Sequence, residues 1–394
     1  MYDRYTGSRF LFARGKFGEN HKNRGEAMNR FSKILVVATT ILGSALATAD
    51  DSLDDFLAQT GVKEGGTAMR EHPNWQPPRK ILVYGGWYID PELEQVSQDV
   101  EIVRAADLEE ALQVAKDADA IIGSCNNRLV EAAVKASWVQ ISGAGVNRCV
   151  PTRRIANGEV VLTNMQKMSS PVIAEHAVAM ILALARNLPQ FINAMDSGTW
   201  HSWGGEVARG VQSVQGKTLL IAGLGGIGTE VARRAAALGM RVVATRRSSR
   251  DGPDFVDYVG LSDELFDLAA EADFVLNALP LTEETEGIFD ARFFAKLTPG
   301  THFISVSRGK VTSTDDLVAA LQNGTLAGAA LDVVDPEPLP KDHPLWQMDN
   351  VIITPHLAGK GVVPNSHYTL QRENLRRFMA GDRLLNVVDP ARGY

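Results

Sequence analysis

Residues 217–239, KTLLIAGLGGIGTEVARRAAALG, decide how the rest of the chain is read. Leu219 to Ala222 form a short run without a polar residue, the mark of a buried strand. Gly223-Leu224-Gly225-Gly226-Ile227-Gly228 follows at G-x-G-x-x-G spacing, and TEVARRAAALG then carries small apolar residues at helical intervals. The glycine pattern alone says little. Set between a strand and a helix, it is what a dinucleotide site requires. Gly223 permits a tight turn, Gly225 lets a pyrophosphate approach the backbone, and Gly228 lets helix and strand pack closely. Gly226 and Ile227 open the helix, whose free N–H groups and positive dipole end face the phosphates.

The next strand, MRVVATRRSSR at 240–250, bears on which dinucleotide is held. A site for NAD usually places Asp or Glu about 20 residues on, bonded to the ribose hydroxyls. Here that place is taken by Arg246, followed by Arg247 and Ser248. Two guanidiniums and a hydroxyl suit a 2′-phosphate, which a carboxylate would repel. The expectation is NADP(H), with NAD(H) left open.

Three later strands each end in a distinctive side chain. THFISVS runs to Arg308, GAALDVV leads into Asp335-Pro336-Glu337-Pro338, and NVIITP ends at His356. Ligands of open α/β sheets bind outside the carboxyl ends of strands. Arg308, Glu337 and His356 can therefore reach one crevice beside the glycine loop. Their chemistry fits a keto-acid reduction, in which hydride passes from nicotinamide C4 to the substrate carbonyl carbon. The developing alkoxide needs a proton, and histidine is a common donor near neutral pH. A neighbouring carboxylate, Glu337, would orient the ring and favour its charged form. Arg308 can bind the substrate carboxylate through two parallel bonds.

Short apolar runs alternate with helical patterns on both sides of this core, as parallel βαβ units do. KILVYGG at 80–86, VEIVRAA, AIIGSC, WVQISGAG and VVLTNM read as strands before it. SSPVIAEHAVAMILALARNLPQFINAM at 169–195 is a long apolar helical segment, with Pro189 as the expected break. MRVVATRR, ADFVLNALP, GTHFISVSRG, GAALDVV and NVIITPH continue one parallel sheet after it. A helix, SHYTLQRENLRRFMAG, and a short tail close the chain.

Composition narrows the classes further. The 394 residues suffice for two domains, and 45% hydrophobic with 22% charged residues is ordinary for a globular protein. Residues 1–33 hold eight Lys and Arg against three Asp and Glu, and 34–49 carry no charge, so the −7 of the whole chain becomes −12 over 50–394. That balance excludes a nucleic-acid partner, which needs a basic surface. Cys125 and Cys149 cannot make a disulfide framework, and they are not spaced as metal ligands; no metal is expected. One bridge is conceivable, but two inert buried thiols are the favoured expectation.

The N-terminus differs from the rest. Residues 1–27 are polar and lack a hydrophobic period. Met28 then opens MNRFSKILVVATTILGSALATADD, with Arg30 and Lys33 as a basic head, an uncharged run from Ile34, and a small-x-small site at Ala47-Thr48-Ala49. These are the parts of a secretory signal peptide, and the run is short for a membrane span. Met28 is read as the start, cleavage is expected after Ala49, and no membrane anchor would remain. Residues 50–78, ending in HPNWQPPRK, read as a linker. The signal points to export into the periplasm, whereas the supply of NADP(H) points to the cytoplasm.

GLGGIG, LPLTEET at 279–285, SVSRGKV at 305–311, AGAALDVVDPEPLP at 327–340, PLWQMDNVIITPHLAG at 344–359 and NLRRFMAGDRLLNVV at 374–388 occur in one order and spacing. Together they resemble the D-isomer-specific 2-hydroxyacid dehydrogenase family over about 80–389, and its glyoxylate/hydroxypyruvate reductase-like members most. The resemblance implies Arg308 as substrate anchor, Glu337 as partner of His356, and His356 as acid/base. It places Asp332 near the nicotinamide, Val306 in the same pocket, and Pro280 and Thr285 along the cofactor. SGAGVN at 142–147 looks like the family's substrate loop, with the amides of Ala144 and Gly145 on a carboxylate. Ala174-Glu175-His176 matches an interdomain helix and is read as structural.

The implied fold is α/β with two doubly wound parallel-sheet domains. A flavodoxin-like substrate domain takes 79–188 and 361–394, and a Rossmann cofactor domain, 189–360, is inserted into it. Homodimers are usual in the family. The resemblance implies transfer of a hydride between NAD(P)H and a small 2-keto or 2-hydroxy acid of D configuration, in the reductive direction. Two other readings stay open: a dinucleotide-sensing, corepressor-like protein without turnover, and a dehydrogenase for a phosphoglycerate-type acid, formate or D-lactate; no second basic cluster marks a phosphate-bearing substrate, so acids with small uncharged tails are the favoured expectation.

Overall fold

Parallel pairing organises the computed structural model, which describes residues 53–361 and 364–392. The signal-like segment at 28–49 and the leader before it lie outside the described residues. In chain order the strands are β1 (Glu64–Ala68), β2 (Lys80–Tyr84), β3 (Glu101–Ala105), β4 (Ala120–Gly123), β5 (Trp138–Ile141), β6 (Val161–Thr163), β7 (Thr218–Ala222), β8 (Arg241–Thr245), β9 (Tyr258–Gly260), β10 (Phe274–Asn277), β11 (Thr301–Ser305), β12 (Leu326–Leu331), β13 (Val351–Ile353) and β14 (Arg383–Leu385).

Two α/β sheets result. The first is five-stranded with order β3-β2-β4-β5-β6, and the second is seven-stranded with order β13-β12-β11-β10-β7-β8-β9. Every pairing within them is parallel. Parallel strands need a crossover of helical length, which the alternating sequence supplies. Their residues are buried on both faces: Leu219 to Ala222 and Phe274 to Leu276 are fully enclosed. That explains why these segments read as unbroken apolar runs rather than alternating ones.

The helices follow local signals. Helix α1 (Leu108–Ala115) starts where the Asp107 carboxylate accepts the Glu110 N–H at 2.9 Å, while Glu110 accepts the Ala106 N–H at 2.7 Å. These reciprocal bonds satisfy two donors that the first turn leaves free. The long apolar segment divides into α2 (Ser170–Ala185) and α3 (Leu188–Asp196), bent by 72°. The break falls at Asn187, which is left-handed at φ 53°, so Pro189 sits in the first turn of the second helix. Proline is tolerated there because that N–H has no intrahelical partner.

Helix α2 packs Ala174, Ala177, Ile181 and Leu184 into the core of the seven-stranded sheet, against Ile221, Val231 and Ile304. Helix α4 (Gly226–Ala237) presents Val231, Ala232 and Ala235 to the same core. On the opposite face, Phe289, Phe293 and Phe303 pack edge to face with Leu317 of α5 (Thr314–Gln322) nearby. The chain then returns to the first sheet. Helix α6 (Pro364–Ala380) sets Leu375 and Phe378 against Ile81, Val83 and Trp138, and Asn374 Nδ2 donates to the buried Gln140 Oε1 at 2.8 Å.

Two features depart from the sequence reading. The stretch taken as linker contains β1, which pairs antiparallel with β14. Its partner lies some 315 residues away, so no local pattern announces it. Cys125 and Cys149 form a disulfide, with Cα atoms 5.4 Å apart, rather than two inert thiols. The adjacency of β4 and β5 brings the loops that leave their carboxyl ends together, and sequence spacing carries no trace of that geometry.

Candidate active site

Both sheets reverse direction at a switch point, where loops on adjacent strands diverge and leave a crevice. In the seven-stranded sheet the first strand, β7, lies between β10 and β8. The glycine loop leaves β7 at that point. A Cβ on Gly228 would lie 2.2 Å from the Gly223 carbonyl oxygen, so only glycine lets α4 start so close to its strand. A Cβ on Gly225 would meet nothing within 4 Å. The loop thus presents open space over a twelve-residue helix whose N-terminus has no side-chain cap. These are the conditions under which backbone N–H groups take a pyrophosphate.

Arg246 follows β8, and its Nη1 donates to the Asp251 carbonyl at 2.8 Å. Arg247 lies 3.6 Å from Glu284, and Ser248 is exposed. A further cation, unmarked in the sequence reading, joins this end. Lys167 bonds the Gly61 carbonyl and packs its Cγ 3.2 Å from where a Gly226 Cβ would be. Burial pushes its pKa down, and the charges of Lys63 and Arg246 add to the effect. A half-buried ammonium among like charges gains from an anion, as a cofactor phosphate would provide. The residues present fit a dinucleotide cofactor.

Val306 is buried at the end of β11. Pro280 and Thr285 close one turn: the Thr285 hydroxyl donates to the Pro280 carbonyl at 2.6 Å and accepts the Thr282 N–H at 2.8 Å. That hydroxyl shapes the loop at the carboxyl end of β10.

The structure brings Arg308, Glu337 and His356 together. His356 Nδ1 lies 3.1 Å from Glu337 Oε2, and Glu337 Oε1 accepts the Val334 N–H at 3.3 Å. The ring is therefore held on one side, and Nε2 is left for a substrate. Arg308 Nη1 donates to the Ser307 carbonyl at 2.7 Å. Burial lowers the Arg308 pKa, Glu337 opposes that shift, and Arg148 adds to it. A Cβ on Gly145 would lie 1.9 Å from Arg308 Nη2, so the guanidinium rests directly on the loop that follows β5. Ala144 and Gly145 are exposed in that loop, and Asn147 Nδ2 donates across to the Leu281 carbonyl at 2.8 Å.

Asp332 organises the turn that carries His356. It is buried, and its carboxylate accepts the Thr354 hydroxyl at 2.6 Å and the N–H groups of Leu357 and Ala358 at 2.9 and 3.0 Å. Its carbonyl accepts the His356 N–H at 2.8 Å. His356 itself is left-handed at φ 51°. The strained turn that presents the imidazole is thus built around one carboxylate. Beneath it, His176 Nε2 lies 3.0 Å from the Thr354 hydroxyl. That hydroxyl already donates to Asp332, so it accepts from the imidazole. His176, read as structural, belongs to this second layer. Its helical spacing resembles any core position, and only the packing of α2 under β13 reveals the link.

A family model for the NAD-binding domain of D-isomer specific 2-hydroxyacid dehydrogenases matches residues 178–358. The chain is 32% identical to a glyoxylate reductase of Korarchaeum cryptofilum over 288 residues, covering 70% of this chain and 83% of that protein. It is 37% identical to the human glyoxylate reductase/hydroxypyruvate reductase over 216 residues, which spans 54% of this chain and 62% of the human enzyme. Among solved structures, the NADPH-dependent glyoxylate/hydroxypyruvate reductase of Sinorhizobium meliloti, in complex with NADP and sulfate, superposes with a TM-score of 0.70. The two are 26% identical, and the match covers 80% of this chain and all of that one. On this evidence the chain belongs to the D-isomer-specific 2-hydroxyacid dehydrogenase family, whose members are NAD(P)-dependent oxidoreductases acting on the CH–OH of small 2-hydroxy acids.

Proposed function

We propose that the protein is an NADPH-preferring reductase of small 2-keto acids. One observation carries the reading: His356 Nδ1 is held by Glu337 at 3.1 Å in the crevice where Arg308 rests on the Gly145 loop. The reduced nicotinamide, when bound, supplies a hydride. Arg308 binds the substrate carboxylate, assisted by the amides of Ala144 and Gly145. His356 holds a proton at Nε2 and delivers it to the carbonyl oxygen as the alkoxide develops. Glu337 fixes the ring and stabilises its charged form. Arg308 also orients the carbonyl, which lowers the entropic part of the barrier.

The cofactor preference is supported by Arg246, Arg247 and Ser248 at the end of β8, where an NAD site would carry a carboxylate, and by Lys167 at the same end. The domain division proposed is 79–188 with 361–394 for the substrate half and 189–360 for the cofactor half. It is supported by the return of α6 to the first sheet. A homodimer is supported by the exposed apolar side chains Ile192, Met195, Trp200 and Trp203, which a second copy could cover. A panel of 2-keto acids assayed with NADPH and NADH tests the reading. Turnover with NADPH favoured is the expected result, and no absorbance loss at saturating substrate overturns it.

A further inference from the structure

Three cations stand on adjoining loops at the carboxyl ends of the two sheets, from segments far apart in sequence. Arg308 ends β11. Arg148 lies in the loop after β5, three residues past Gly145, which touches Arg308. Lys360 lies four residues past His356, and its Nζ sits 4.1 Å from the centroid of the Trp87 ring.

The backbone that carries Arg148 and the side chain of Lys360 are anchored. Arg148 is bracketed by two anchors: Asn147 bonds the Leu281 carbonyl on the cofactor side, and Cys149 is bridged to Cys125 beside β4. Trp87 follows the Gly85-Gly86 turn at the carboxyl end of β2, and its N–H donates to Ser142 Oγ at 2.9 Å. Ser142 opens the same loop that carries Gly145 and Arg148. Lys360 is held over the Trp87 ring by cation–π attraction and leaves the same turn that Asp332 organises.

Charge compensation is lacking. Segments 85–88, 142–148 and 356–361 contain no acidic residue. Among the described residues, Arg148 and Lys360 are in no ion pair, and both are exposed. Glu337 is engaged by His356 and the Val334 amide. The charge of Arg148 acts against that of Arg308, while Glu337 is the anion that acts in its favour. One substrate carboxylate on Arg308 would leave two cations facing the remainder of the molecule. As water leaves the cleft, that excess favours a second anion and disfavours a neutral tail.

We propose that the preferred substrate is a 2-keto acid carrying a second anionic group at its far end, with Arg148 and Lys360 as the specificity-determining residues. This rests on the reading of the site as a 2-keto-acid reductase. A carboxylate and a phosphate share the required chemistry.

The test compares tails of similar length on the full chain with NADPH: 2-oxobutanoate against oxaloacetate, 2-oxopentanoate against 2-oxoglutarate, and hydroxypyruvate against 3-phosphohydroxypyruvate. The anionic member of at least one pair should have the higher kcat/KM by about tenfold or more, as one charge-assisted contact gives. The difference should lie mainly in KM. Preference within the carboxylate pairs assigns a dicarboxylate, and preference in the last pair alone assigns a phosphate. Arg148→Gln and Lys360→Gln should each shrink the ratio severalfold, and so should raising the salt on the unaltered protein. Equal kcat/KM within every pair, or a ratio indifferent to both substitutions and to salt, overturns the inference. If neither member of any pair is reduced, the reductase reading falls and the inference falls with it.

Discussion

Asp332 and His356 are joined through the backbone: the His356 N–H donates to the Asp332 carbonyl at 2.8 Å, while the Asp332 carboxylate holds the next two amides and the Thr354 hydroxyl. The imidazole therefore owes its position to a carboxylate that it does not itself touch through its ring. Replacing Asp332 by Asn removes one acceptor oxygen and sets an NH2 group against N–H donors. The turn must shift, and a displacement of about 1 Å at a reacting group can cost on the order of 100-fold in rate. Asp332→Asn should lower kcat by roughly that factor with little change in the Kd for NADPH, measured by cofactor fluorescence. A large loss of NADPH affinity with kcat intact would instead assign Asp332 to the cofactor.

Glu337 acts directly on the ring. Glu337→Gln keeps the shape but removes the charge beside His356 Nδ1. The expected fall in kcat is about 100-fold, and His356→Ala should lose as much or more, within the range typical of general acid catalysis. The double variant should be hardly worse than His356→Ala, because both substitutions remove one proton-transfer device. Steady-state kinetics on the three variants check this, and full additivity would argue that Glu337 works elsewhere.

Arg246 bears on cofactor choice. Arg246→Glu should weaken NADPH binding by about 10- to 100-fold, the loss of one charge-assisted bond plus repulsion, and leave NADH unaffected or improved. Titration of both cofactors by fluorescence measures the ratio directly. An unchanged ratio would move the selectivity to Lys167 and Arg247.

The Cys125–Cys149 bridge ties the loop after β5 to the carboxyl end of β4. Reduction, or Cys149→Ser, should lower unfolding stability by about 3 kcal/mol, read from urea denaturation. It should also raise KM for the keto acid, because Arg148 and Gly145 lose an anchor. Disulfides persist in oxidising compartments. Protein isolated from its native cell should then carry the bridge, as mass spectrometry can show; a reduced chain would point to a reducing compartment.

His302 makes stability depend on pH. It stacks on Phe274 with ring centroids 5.0 Å apart, is 6% exposed, and has no partner at Nδ1. Burial pushes its pKa down to about 4. The folded state keeps this ring neutral, while the unfolded chain protonates near 6.5. Its contribution is therefore intact above pH 6.5 and is lost as pH falls from there towards 4, by on the order of 3 kcal/mol at the end of that window. His302→Leu should flatten the pH dependence of the urea midpoint between pH 7 and 4.5. An identical slope in the two proteins would place the acid sensitivity elsewhere, with His367 the next candidate.

The local patterns of this chain were sufficient for much of its architecture. Apolar runs such as Leu219 to Ala222 read as buried strands because parallel sheets bury both faces. The spacing of Gly223, Gly225 and Gly228 identified the dinucleotide turn because a Cβ at the last position would strike the backbone. Arg308, Glu337 and His356 stood out because each follows a recognisable strand. Local signals failed where partners are remote. Neither β1 with β14, nor Cys125 with Cys149, nor His176 with Thr354 carries a mark in sequence, since each pairing depends on how sheets and helices stack.

Sequence by itself determined the two-sheet α/β class and the glycine loop, and singled out Arg308, Glu337 and His356 as candidates, because periodicity and steric limits act over a few residues. Tertiary structure decided what those residues work with. It set Arg308 on Gly145, built the His356 turn around Asp332, and laid Lys360 over Trp87. Charges and hydrogen bonds act through space, and their partners here lie from about two dozen to nearly three hundred residues apart along the chain.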